Sequence, residues 1–429
     1  MAVYLICYLA SYILARFDHY LVSGVLLLVA AIWLYMEDYR KYKNLIHLRG
    51  LFSLFWVGGE GLACLKLSNL QTDWSGMTWF CLFLAYIGFW LVFEALVRVY
   101  GSGYDGYGRW RSFSGDPRPV FTMICALTAV SLACFITESV VLGYVPLLLR
   151  GVPHAYSEFH LTGIHYFTVS CVLVPSLTVL YIHMRNGRGS EKLLIASLVM
   201  AGISLLIPIL CVSRFQLVFA VLLAAFTYIS LQKLFHPGWL LGLFVVLLPF
   251  YLILTVARSH NIEYLNGIFE MKRASMPIFI SQPYIYIANN YDNFNCMVEA
   301  LPGHSFGLKG LFPLWALSGL KFFFPQLINF PIYVDKTELT TLTLFYDSYY
   351  DFGWIGVLLF SCILGAVAYI LVVKLREMRN PLGYLLYAQF AAYLMLSFFT
   401  TWFSNTTTWF YLILTGIMAL FYHLRASRW

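Results

Sequence analysis

Apolar runs of near-membrane length, parted from one another by short polar breaks, constrain this chain more than any other feature. About twelve can be read, near residues 2–15, 21–36, 51–65, 77–97, 120–137, 161–182, 193–211, 215–231, 239–257, 352–373, 383–400 and 408–423. A helix needs about 20 mostly apolar residues to cross the hydrocarbon core, and fewer where its flanks snorkel. Inside lipid the backbone must satisfy its own hydrogen bonds, which leaves the helix as the solution for runs like these. Composition decides the class: 61% of the residues are hydrophobic and 11% charged, where soluble domains run near 45–50% and 25%. So apolar a chain cannot cover itself with polar surface in water. The sequence therefore predicts an all-α polytopic membrane protein. The first run, Ala2–Ala15, lacks a basic segment before it and a small-residue cleavage site after it, and is read as a retained span.

The net charge is +7, but the cations fall in short groups between runs and form no basic-aromatic module, which argues against nucleic acid. Their distribution orients the chain. With the N-terminus inside, the inner loops hold Arg40, Lys41, Lys43, Arg49, Arg98, Arg109, Arg111, Arg118, Arg185, Arg188, Lys192, Lys233, Lys374, Arg376, Arg379, Arg425 and Arg428. The short outer loops hold Arg16, Lys66, Arg150 and Arg214. Seventeen against four predicts cytoplasmic termini by the positive-inside rule. Of nine cysteines, all but Cys296 lie in apolar runs, without CxxC, metal spacing or disulfide framework.

This threading yields three parts: N-terminal spans over 1–257, a large outer loop over 258–351, and C-terminal spans over 352–429. A loop of that length is usually functional. Within it, Phe306–Phe330 is amphipathic and aromatic, suited to the headgroup layer or to capping a cavity, and equally readable as an ordinary loop helix. Among intramembrane acids and bases, Glu60 sits in VGGEG (57–61), Glu94 is placed to snorkel at an inner end, and His165 opens the sixth span.

Two constellations carry candidate chemistry. Arg214, Arg258 and Arg273 all face outward; converging, they make a fork-shaped site for phosphate, and otherwise each anchors a helix end at the headgroups. Asp347 and Asp351 are four apart, with Tyr346 and Tyr350 in the same register. On a helix both carboxylates share a face, an arrangement that suits a general base or, equally, an interfacial helix start.

At YYDFGWIG (349–356), preceded by a Thr-rich run, the chain resembles the bacterial O-antigen, or Wzy-type, polysaccharide repeat-unit polymerases. ESVVLGYVPLLLRG (138–151), SEFHLTGIHY (157–166), SRFQLVF (213–219) and NNYDNF (289–294) agree with that pattern, as does the large loop before the last spans. The resemblance implies a GT-C-like membrane glycosyltransferase at the outer face of the bacterial cytoplasmic membrane. It would join oligosaccharide repeats carried on undecaprenyl pyrophosphate into O-antigen, capsule or exopolysaccharide. On that reading Asp351 or Asp347 is the base, with His304 and Glu338 as alternatives. Arg214, Arg258 and Arg273 meet the leaving pyrophosphate, and Tyr291, Asn293, Thr341, Tyr346 and Tyr350 contribute to substrate binding. No cofactor or metal is expected, and the partners implied are lipid-linked oligosaccharides, membrane lipids, a chain-length regulator and a flippase. Two other functions remain open: an O-antigen ligase, and a glycan flippase or transporter, against which stands the lack of an internal repeat.

Overall fold

The computed structural model describes residues 1–102, 115–149, 155–187, 190–231, 262–273, 275–375 and 377–426. Among them the protein is helical, and the β contact shown is an isolated antiparallel bridge between Ser68 and Met271. Among the described residues eight helices are long and apolar enough to cross a bilayer: Tyr20–Tyr42, Gly76–Tyr100, Arg118–Leu142, Ile164–Arg185, Glu191–Leu210, Arg214–Leu231, Tyr346–Lys374 and Thr406–Arg425. Ala2–Arg16 and Leu382–Met395 are apolar but shorter. The third expected span is built from pieces, Leu48–Phe52, a π turn over Ser53–Val57, and Gly58–Cys64. The ninth, 239–257, lies outside the described residues. The helical character expected from the sequence is thus present, and among the described residues eight of the expected runs are full-length helices compatible with membrane spans.

Local signals set the helix ends. Ser75 caps Gly76–Tyr100 by accepting the Thr78 amide at 3.1 Å, satisfying one of the free N–H groups of a first turn. Pro119 stands in the first turn of Arg118–Leu142, where a missing N–H costs nothing, and Gly143 closes that helix in the left-handed region.

The chain folds into two compact units that cut across the serial division into spans, loop and spans. One comprises Met1–Gly108, Asn261–Lys374 and Tyr393–Trp409; the other comprises Arg109–His260, Leu375–Ala392 and Phe410–Trp429. In the first, Gly76–Tyr100 packs along Tyr346–Lys374. The Ser361 hydroxyl donates to the Ala85 carbonyl at 2.6 Å, and a Cβ on Gly365 would be driven into the Phe89 carbonyl oxygen. Lipid gives helices no hydrophobic reason to associate, so small residues and close backbones hold such pairs. At the Leu48 end of this unit Arg49 is buried between acids. Its Nε donates to both Asp38 oxygens at 3.1 and 3.0 Å, and its Nη1 to Glu94 at 2.8 Å. Glu94, expected to snorkel, is instead a partner of that guanidinium.

The stretch expected as a large outer loop contains a 23-residue helix, Ile278–Ala300, with Asn289, Asn290, Asp292, Asn293 and Asn295 all buried. Asp292 accepts from Lys66 Nζ at 2.8 Å, Gln71 Nε2 at 2.9 Å and Trp74 Nε1 at 2.8 Å. These bonds clip the 66–74 segment to the helix.

In the second unit, Ile164–Arg185 is the most enclosed of the eight long helices. Arg118–Leu142 and Glu191–Leu210 pack on it or beside it, with hydroxyl pairs at Ser131–Ser170 and Thr128–Ser204, both 3.2 Å.

Candidate functional site

The helix Tyr346–Lys374 is broken near its start, at Phe352 (φ −138°, ψ 16°) and Gly353 (φ 62°, ψ −148°). Only glycine takes the second conformation without strain. A side chain there would also meet His304 Nε2 at 3.0 Å, and a Cβ on Gly356 would collide with the Ser348 carbonyl. The two glycines of YYDFGWIG are therefore the steric requirement of a hinge. It sets residues 346–351 apart as a short first segment carrying Asp347 and Asp351.

The two carboxylates, which the four-residue spacing treats as equivalent, have different surroundings. Asp351 is saturated: it accepts the Ser305 hydroxyl, the Lys309 amide at 3.1 Å and the Gly310 amide at 2.7 Å. Gly310 is glycine because a Cβ would stand 2.6 Å from the Asp351 Oδ2. The Ser305 and Phe306 amides donate to the Tyr350 and Asp351 carbonyls at 3.2 and 3.1 Å. Asp351 thus folds the 305–310 loop onto the hinge.

That loop delivers Lys309. Its side chain is buried, with Nζ 3.6 Å from Asp347 Oδ1, 4.1 Å from the centre of the Tyr350 ring and 5.2 Å from that of Tyr346. Burial pushes the Lys309 ammonium below its ordinary value of 10.5, and the charges of Asp347 and then Asp351 pull it partly back. Two ring faces and one carboxylate compensate the desolvation, the rings by about 0.5–2 kcal/mol each and the carboxylate by about 4–5 kcal/mol at an effective dielectric constant near 20. Asp347 is itself buried. The hydroxyls of Thr401 and Ser404 lie against its carboxylate, while Oδ1, the oxygen facing the lysine, has no hydrogen-bond partner. At 3.6 Å the ammonium is attracted but not hydrogen bonded, so both groups retain capacity for an oxygen of a third molecule.

An aromatic wall completes the cluster. The Tyr346 hydroxyl donates to the Tyr333 carbonyl at 3.0 Å and accepts its amide at 2.8 Å, drawing residues 330–333 over the hinge. The ring centres of Tyr333 and Phe330 then lie 6.2 and 6.1 Å from that of Tyr350.

Of the residues singled out from the sequence, Asp347, Asp351, Tyr346 and Tyr350 come together here, and His304 packs on the hinge with Nδ1 3.3 Å from the Tyr350 carbonyl. The others stand apart from this cluster in role. Tyr291 is fully buried and donates to the Trp56 carbonyl at 2.8 Å. The Asn293 amide donates to the Leu339 and Thr341 carbonyls at 2.8 and 2.9 Å, and the Thr341 hydroxyl donates to Asn290 at 2.5 Å. All three hold the 335–341 segment on Ile278–Ala300 or build its core, a packing role where a substrate contact was expected. Glu338 is exposed and accepts the Thr337 hydroxyl at 3.1 Å. Arg273 is exposed in the first unit, Arg214 begins a helix of the second, and Arg258 lies outside the described residues.

The chain matches no protein-family model, no curated protein and no solved structure. The chemistry of the cluster thus rests on its own geometry. A carboxylate oxygen without a partner can take a proton from a hydroxyl, the adjacent ammonium can steady developing negative charge, and the aromatic faces suit the apolar side of a sugar ring. Among the described residues no group of three or more His, Cys, Asp or Glu is placed to hold a metal ion.

Lys309 is the residue that sequence reasoning missed. It stands in the aromatic segment already singled out, Phe306–Phe330, but nothing in spacing links it to Asp347. The second unit holds another missed pair. Buried Glu138 accepts His165 Nδ1 at 3.1 Å, the Leu161 amide at 2.9 Å and the Thr168 hydroxyl at 2.7 Å, joining the segments 138–151 and 157–166.

Proposed function

We propose that this protein is a membrane glycosyltransferase that lengthens a glycan by joining oligosaccharide repeats carried on undecaprenyl pyrophosphate, at the outer face of the bacterial cytoplasmic membrane. The observation that carries the reading is the Lys309–Asp347 pair: buried, not hydrogen bonded to each other, walled by tyrosines, and set on the hinge that the YYDFGWIG motif forms. The likeness of that motif to the Wzy-type polymerases supports the same assignment.

In the proposed step an acceptor sugar hydroxyl gives its proton to Asp347 as its oxygen bonds to the anomeric carbon of the donor. The bond from that carbon to the pyrophosphate oxygen breaks, and the lipid pyrophosphate leaves with the electron pair. Lys309 stabilises the negative charge that develops, as a preorganised cation outside bulk water does best. Asp351 acts on this chemistry through the loop, by holding Lys309 in place. By the resemblance, an arginine such as Arg273 would also meet the leaving pyrophosphate, and a chain-length regulator and a flippase are the expected partners.

The test is purified protein in lipid nanodiscs given the lipid-linked repeat as its only glycan. A ladder of longer lipid-linked products supports the polymerase. Absence of any lengthening until lipid A core is added makes the protein a ligase, and repeat translocation without bond formation makes it a transporter.

A further inference from the structure

Glu60 takes no part in the cluster above, yet among the described residues of the first unit it is the acid most fully withdrawn from water. It is 0% exposed and sits on Gly58–Cys64, and its carboxylate is met by the Tyr8 hydroxyl, with no well-formed hydrogen bond to either oxygen and no cation against it among the described residues. The groups around it come from three other helices. Tyr4 and Tyr8 face it from Ala2–Arg16, and Tyr291 from Ile278–Ala300. Tyr86 of Gly76–Tyr100 packs on Tyr4 with ring centres 4.4 Å apart. Most of these hydroxyls are engaged elsewhere: Tyr8 donates to the Trp79 carbonyl at 2.6 Å and Tyr291 to the Trp56 carbonyl at 2.8 Å. The Tyr4 hydroxyl has no partner. The nearest cation along the chain, Lys66, is committed to Asp292.

An ionised carboxylate in such a place would carry an unpaired charge at a cost of many kcal/mol, so the group is expected to be neutral. One turn further on, at Cys64, the helix reaches a polar cavity of about 70 Å³ lined by Arg16, Asp18, Lys66, Asp73 and Cys64 itself. That is room for more than one water. The Cys64 thiol lies beside Ser23, whose hydroxyl in turn meets the Ser11 hydroxyl at 2.6 Å. Residues four apart share a helix face, so Glu60 and the cavity-lining Cys64 stand on the same side of Gly58–Cys64, one turn apart.

We propose that Glu60 is a proton-binding site at membrane depth, which exchanges its proton with the cavity at the Cys64 end of its helix. The carboxyl carries the proton, the cavity supplies and receives it, and Cys64 with Ser23 lies on the path between them. This role is separate from glycosyl transfer and stands or falls independently of it.

Infrared difference spectroscopy on the protein in lipid nanodiscs tests it. At neutral pH the wild type should show the carbonyl stretch of a buried, protonated carboxylic acid. Glu60→Gln should lose that band, and transfer to D2O should shift it as the proton exchanges, more slowly in Cys64→Val. No such band in the wild type, a band unchanged by Glu60→Gln, or a band that refuses to shift in D2O would each overturn the proposal. If Glu60→Gln does not fold, the wild type still decides: a membrane-soluble carbodiimide, which adds to protonated carboxyls, should label the Glu60 peptide at neutral pH and fail at alkaline pH. Labelling absent at neutral pH contradicts the assignment.

Discussion

Among its described residues the first unit contains two buried lysine–aspartate pairs, and they differ in one respect. At Lys66–Asp292 the ion pair closes at 2.8 Å, Gln71 and Trp74 fill the remaining carboxylate positions, and the ammonium sits 4.7 Å from the centre of the Trp74 ring. At Lys309–Asp347 the gap is 3.6 Å and the facing oxygen is left without a hydrogen bond. The same two residue types, both desolvated and both beside aromatic rings, make a clip in one place and an unsaturated pair in the other. Burial and charge alone would not separate them; the count of satisfied donors and acceptors does. A saturated pair has its energy in the fold, whereas an unsaturated one has kept binding capacity for something else.

The contrast can be broken by substitution. Removing the cation of the open pair, Lys309→Met, should lower glycan lengthening by about 10²- to 10³-fold, the usual effect of deleting one preorganised stabiliser of developing charge. Rates per folded molecule in nanodiscs check this. The matching change in the saturated pair, Lys66→Met, should leave the rate per folded molecule alone but destabilise the protein by about 3–5 kcal/mol, because Asp292 then keeps an unpaired buried charge. Thermal unfolding in detergent reads that loss. Equal effects of the two substitutions on both assays would erase the distinction.

Smaller effects sharpen it. Gly353→Ala should cost about 1–3 kcal/mol of stability, through a backbone conformation alanine avoids and contact with His304, and should displace the first helical segment with its aspartates. The pH profile should show an alkaline limb below 10.5, since burial lowers Lys309 and its charge is lost as pH rises through that lowered value. Lys309→Arg should carry the limb upward, because a guanidinium stays charged. Glu338→Gln, at an exposed position outside the pair, should change stability by no more than about 0.5 kcal/mol and leave lengthening intact.

What the sequence could disclose followed from the range of the interactions involved. The long spans were legible because an 18-residue apolar window is a local property, and each of those eight falls on an expected run. Ile278–Ala300 was read as outer loop because Asn289, Asn290, Asp292, Asn293 and Asn295 give it the polarity of one. Their partners, among them Trp74, Leu339 and Phe398, are far off in the chain. The same line runs through the candidate site. Asp347 and Asp351 announce themselves by spacing, and the glycines of DFGWIG mark a break. That Asp351 would be saturated, and would thereby place Lys309 beside Asp347, depends on a loop some forty residues upstream that no local pattern connects to the helix.

The most direct test of the account is the lengthening rate of Asp347→Asn, measured in nanodiscs with lipid-pyrophosphate-linked repeats and normalised to folded protein. Asparagine keeps the shape and loses the basicity, so the account predicts a fall of about 10²- to 10⁴-fold in the rate per folded molecule. A variant that lengthens glycan at the wild-type rate would contradict it.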